Sequence, residues 1–111
     1  MPVARFADLT DLAGAVHVRQ LPPSTCLLVW TRNSLYRFVV TDGSNVVVQG
    51  GAFFPRPTAA ILEGVSLGGH ALKVGWLGVG LLMEIRVGPR RIVTSAIRAI
   101  ATEPLRPQVV H

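Results

Sequence analysis

Cysteine is nearly missing from this chain of 111 residues, and the single one, Cys26, cannot close an intramolecular disulfide. It sits inside the apolar run CLLVW, where a small buried hydrophobe in a reducing compartment is the expected role. Aromatic residues are few, at 6%, which leaves little material for a stacking platform. Charged residues make up 15% of the chain against 50% hydrophobic, the reverse of the balance that keeps a chain disordered. Long apolar runs are missing too. The most apolar window, ALKVGWLGVGLLM, contains Lys73 and falls short of the roughly 18 to 20 residues that a membrane-spanning helix needs. The N-terminal stretch MPVARFADLTDLAGAVHV has two acids and no continuous apolar core of signal-peptide length, so a cytoplasmic protein with no membrane contact is expected. His17, His70 and His111 form no HxxxH or CxxC-type spacing with one another or with Cys26, so neither a metal nor a cofactor is expected.

Lysine is the other scarce residue: Lys73 is the only one, and the remaining basic residues are arginines. The formal net charge of +5 would invite a polyanion if it were clustered. It is scattered instead, with Arg90-Arg91 as the one adjacent pair.

What the chain does have is β-forming residues. TCLLVWT (25–31), LYRFVVT (35–41), NVVVQ (45–49), TAAILEG (58–64), LLMEIRV (81–87) and RRIVTS (90–95) are rich in Val, Ile, Leu and aromatics and are bounded by turn residues. Asp42-Gly43 and Gly88-Pro89 mark tight turns, and Arg32-Asn33-Ser34 has hairpin chemistry, with Asn33 able to take a left-handed conformation. Thr31 to Ser34 and Val93 to Ser95 each read as strand ends closed by side-chain-to-backbone bonding. Pro55 and Pro57 rule out a central strand across AFFPRP. Phe6, Leu9, Leu12 (or Ala13) and Val16 recur at helical spacing, so a short helix is expected within residues 2–16. Short antiparallel connections without crossover helices predict an all-β fold: a small antiparallel barrel or compact meander of five to seven strands, with the N-terminal helix over one open end. The expected organisation is an N-terminal helical arm over 1–20, the β-barrel over 21–102 and a tail over 103–111.

The segment EGVSLGGHALKVGWLGVG (63–80) packs most of the unusual glycine into one apolar stretch that fits neither a helix nor a plain strand. Bare backbone, His70, Lys73 and Trp76 coincide there, so Ser66, Gly68, Gly69, His70, Lys73, Gly75 and Trp76 are the candidate ligand or partner contacts. The order GxxxxGK[ST] of a phosphate loop is absent, and bulges or tight bends explain the same glycines structurally. No GxSxG elbow surrounds Ser34 or Ser95. Phe53-Phe54, pinned by Pro55, is either an exposed aromatic contact or a plug under the barrel end.

TRNSLYRF, VQGGAFFP, GVSLGGHALKVGWLGVGL and RRIVTSAIRAI together resemble a group of small bacterial proteins known from genome sequences and carried without an assigned function. The likeness spans about Leu21 to Ile100 and rests on Thr31, Asn33 and Ser34, on Gly50-Gly51 and Gly68-Gly69, on Lys73 with Gly75, and on Val93 to Ser95. Ala96 departs from the proline expected after the VTS step. The resemblance implies a bacterial β module and supplies no activity.

Three functions are weighed on these residues. The first is a non-enzymatic binding or assembly module that associates with itself into a homo-oligomer, because so many strand residues are apolar on both faces. The second is a single-stranded nucleic-acid-binding barrel using Arg32, Arg37, Arg86, Arg90 and Arg91 with Tyr36 or Trp76. The third is a small-molecule enzyme using His70 and Lys73. No catalytic constellation is legible, and the first reading leads.

Overall fold

A computed structural model describes residues 10–11, 14–67 and 72–103. Its strands are β1 (Thr10–Asp11), β2 (Ala15–His17), β3 (Cys26–Thr31), β4 (Leu35–Asp42) and β5 (Asn45–Gly50). They continue as β6 (Phe54–Ser66), β7 (Lys73–Val74), β8 (Trp76–Gly78), β9 (Leu82–Val87) and β10 (Arg90–Glu103). All six runs read as strands are strands, and every pairing is antiparallel.

Pairing runs β10–β3–β4–β5–β6, and β9 bonds both β6 and β10, so six strands close into a ring. Closure removes most of the free edges that an open sheet of this apolarity would expose. Two long strands make it possible. The first part of β6 pairs with β5 and its second part with β9, and β10 pairs first with β9 and then with β3. The register slips between Leu62 and Gly64 in β6, and twice in β10, between Val93 and Ala96 and between Ile97 and Ala99. Bulges of this kind bend a strand so that it can serve two sheets. Gly64 sits at the first bend with φ +146, and a side chain there would run into the Lys73 carbonyl.

Alternation fills the ring. Tyr36, Phe38 and Val40 of β4 are buried while Leu35 is exposed. Leu62, Met83, Ile85, Ile97 and Ile100 are fully buried from β6, β9 and β10. Each such side chain is worth about 1.5–3 kcal/mol over its exposed state. β3 is buried on both faces, with Leu27 and Val29 in the core and Cys26 and Leu28 behind them. The thiol of Cys26 donates to Glu103 Oε2 at 3.6 Å and accepts from Arg37 Nε at 3.3 Å, and burial pushes its pKa up despite the guanidinium.

The second bend is tied to the β3–β4 loop by side chains from both. Ser34 N–H donates to Thr31 Oγ1 at 3.1 Å, Asn33 N–H to Ser95 Oγ at 3.1 Å, and Ser95 Oγ to Thr31 Oγ1 at 2.9 Å. Thr94 Oγ1 accepts from Met83 N–H at 3.2 Å, and Arg32 N–H donates to the Ala96 carbonyl at 2.9 Å. Thr31 to Ser34 and Val93 to Ser95 thus bond each other as well as their own backbones.

Several expectations need correction. The described part of the expected N-terminal helix is extended: β1 pairs with β10, β2 pairs with β8, and the helical residues are the 3-10 turn Val18–Gln20. Residues 1–9 and 12–13 lie outside the described residues. Apolar spacing of three to four carries little weight against ready-made strand partners. Asn33 does not take the left-handed conformation; among the described non-glycine residues Ser24 does, at φ 71. β6 begins at Phe54 and runs through Pro55 and Pro57, which lie where β6 has a partner on one side only, the edge setting that tolerates proline. Of the aromatic pair, Phe54 is core and Phe53 is 54% exposed.

Candidate functional site

Between β6 and β9 the chain makes two short strands that go to different partners. β7 adds to β6, with Val65 opposite Lys73 and Gly64 opposite Val74, whereas β8 adds to β2. Gly75 makes the break at φ +79, its N–H bonded to the Glu63 carbonyl and its carbonyl to Val18 N–H, both at 2.8 Å. A methyl group there would press on His17 Cε1 and on the Arg19 side chain.

The register places His17 directly opposite Trp76. Their rings meet edge to face at 4.9 Å, and Lys73 Nζ lies 5.0 Å from the Trp76 ring centre, a cation–π contact. Trp76 is half-buried, resting one side on the core. Arg19 reaches Ser44 Oγ at 3.0 Å. Among the described residues, no carboxylate lies within 4.0 Å of the Lys73 or Arg19 cation. His17 Nδ1 is shut off from solvent with no hydrogen-bond partner among the described residues, and so is Ser66 Oγ at the end of β6. Two cations, an indole and the buried imidazole nitrogen of His17 meet near one glycine.

Of the expected contact residues, Ser66 and Gly75 are buried, Lys73 is exposed and Trp76 half-buried. Gly68, Gly69 and His70 lie outside the described residues. His17 and Arg19 were missed. No local signal marks them, because strand pairing alone brings them to a tryptophan nearly sixty residues away.

A second surface lies on the outside of β7, β6, β9 and β10. Glu63 takes a two-pronged bond from Arg86, 2.9 Å to Nε and 3.0 Å to Nη2, which holds its carboxyl below the usual range. Arg91 Nε lies 3.7 Å from Glu84 and 3.9 Å from Glu63. Glu84 is 4% exposed. Around this charge-balanced lattice stand Val93, Ile61 and Val74, each between 39% and 47% exposed. Cross-strand register sets Val93 beside Glu84 and Ile61 beside Arg86. A shallow groove of about 430 Å³ borders the same face, floored by Val47, Ala59 and Ala60 between Asn45 and Gly88.

Of the arginines considered for nucleic acid, Arg86 and Arg91 belong to this lattice and Arg37 pairs with Glu103 at 3.2 Å. Arg32, in the β3–β4 loop, and Arg90, at the β9–β10 turn, make no ion pair among the described residues. Nor do three His, Cys, Asp or Glu side chains come together there as a metal would require. No described helix is long and apolar enough to cross a membrane.

Neither a protein-family model, nor a curated protein, nor a solved structure matches the chain.

Proposed function

We propose that this chain is a non-enzymatic binding and assembly module that associates with copies of itself through the outer face of β7, β6, β9 and β10. The observation that carries this is the pairing of exposed Val93, Ile61 and Val74 with a lattice of two carboxylates and two guanidinium groups. A chain of net charge +5 repels its copies over most approaches. On this face the charges of Glu63, Glu84, Arg86 and Arg91 cancel, so two copies meet there without that penalty and cover apolar side chains as they do. A two-fold contact needs such a self-complementary patch, and the adjoining groove gives it relief to pack into.

Sedimentation velocity tests the reading. A dimer at high micromolar concentration is expected for the intact chain, and Val93→Asp, at an exposed position, is expected to sediment as a monomer with an unchanged circular dichroism spectrum. A strict monomer at the same concentration overturns it. The nucleic-acid reading draws less support, because three of its five arginines are already paired to carboxylates. The enzyme reading keeps Lys73 alone among the described residues.

A further inference from the structure

We infer that the corner formed by His17, Arg19, Lys73 and Trp76 is a binding site for a small anionic ligand carrying a flat ring, the chemistry of a mononucleotide. It deepens the binding-module reading at a surface separate from the self-association face.

Residues in this corner that stabilise the fold are already satisfied, and those left over share one chemistry. Gly75 is bonded through both its N–H and its carbonyl, and Leu77, next to Trp76, is fully buried. Lys73 contributes nothing comparable. Its ammonium rests on the indole face at 5.0 Å with no carboxylate within 4.0 Å among the described residues, although Glu63 emerges from the neighbouring strand. The Glu63 carboxylate turns to Arg86 instead. Arg19 spends its Nε on a neutral hydroxyl, that of Ser44, and keeps its terminal nitrogens for other acceptors.

His17 adds the second observation. Its Nδ1 is removed from water with no partner among the described residues, which is unfavourable, and a polar ligand atom that reached it would recover part of that. Gly75 brings bare backbone to the same spot, where even a methyl group would touch the His17 ring and the Arg19 stem. Trp76 supplies the flat surface. The lysine that lies on it is long, exposed and flexible, so a ligand ring takes its place on the indole while the ammonium moves to the ligand's anionic group. Arg19 and Lys73 clamp the anion, and Trp76 holds the ring.

The test uses the full chain with Trp30→Phe, so that Trp76 is the only tryptophan and its fluorescence reports the corner alone. Adenosine monophosphate, adenosine and inorganic phosphate are titrated separately at low and moderate salt. Saturable quenching by the monophosphate is expected, weakened about tenfold when either Lys73→Ala or Arg19→Ala removes a charge-assisted contact. Adenosine binding as tightly as the monophosphate removes the anion half of the inference. Phosphate binding as tightly removes the ring half. No saturable response, or one unchanged in the Lys73→Ala, Arg19→Ala double variant, overturns the site. None of these results bears on sedimentation, so loss of the ligand site and loss of self-association are told apart.

Discussion

Two polar clusters in this protein differ in one respect that separates scaffold from site. Where the β3–β4 loop meets the bend of β10, the Thr31, Thr94 and Ser95 hydroxyls all find partners inside the chain. At the Trp76 corner, His17 Nδ1 finds none among the described residues, where Lys73 rests on an aromatic face with no carboxylate beside it. The first comes from sequence steps that read as strand ends, the second mostly from the glycine-rich segment read as a contact site. A closed network is worth its stabilisation and nothing further, whereas an open one costs stability unless something outside the chain completes it.

That contrast can be broken most sharply at the bends themselves. Gly64→Ala drives a side chain into the Lys73 carbonyl at a φ that other residues avoid, and a loss on the order of 3 kcal/mol is expected by chemical denaturation. If Gly64→Ala is neutral, the bend of β6 does not depend on that close approach. Next in size is the network. Thr31→Val strands the Ser34 N–H and the Ser95 hydroxyl together, for a loss of about 2 kcal/mol. A double-mutant cycle with Ser95→Ala should return a coupling of about 1 kcal/mol; additivity would mean that the two motifs meet without supporting each other.

A smaller effect is expected in acid. Hydrogen bonds from Arg86 lower the pKa of Glu63 in the folded state, so its contribution is fully present above the unfolded carboxyl pKa of about 4.3 and is lost as pH falls through the lower folded value. The melting temperature of Glu63→Gln should therefore fall less steeply than that of the natural chain between neutral pH and that range. Parallel curves would remove Glu63 from the acid response.

Much of the barrel was legible because six strands carry their own punctuation, such as Gly88-Pro89 and the alternation from Met83 to Val87. What escaped depends on partners. Pro55 and Pro57 argue against a central strand, and the strand exists because that half of β6 is paired on one side only. β10 runs on to Glu103 because β3 takes over where β9 stops. The apolar spacing near the N-terminus matches a helix, but its described residues are claimed by β10 and β8. At the corner, Lys73 and Trp76 stood out as the only lysine and one of two tryptophans, while His17 has no local feature that foretells its place opposite Trp76.

Thermal melting with and without adenosine monophosphate, run side by side on Ser95→Ala and Lys73→Ala, tests most directly whether satisfied clusters hold the fold and unsatisfied ones bind. Ser95→Ala should melt lower than the natural chain yet keep the ligand-induced rise, and Lys73→Ala should melt where the natural chain does and lose the rise. A Lys73→Ala protein that keeps the full rise, or a Ser95→Ala protein as stable as the natural chain, would contradict it.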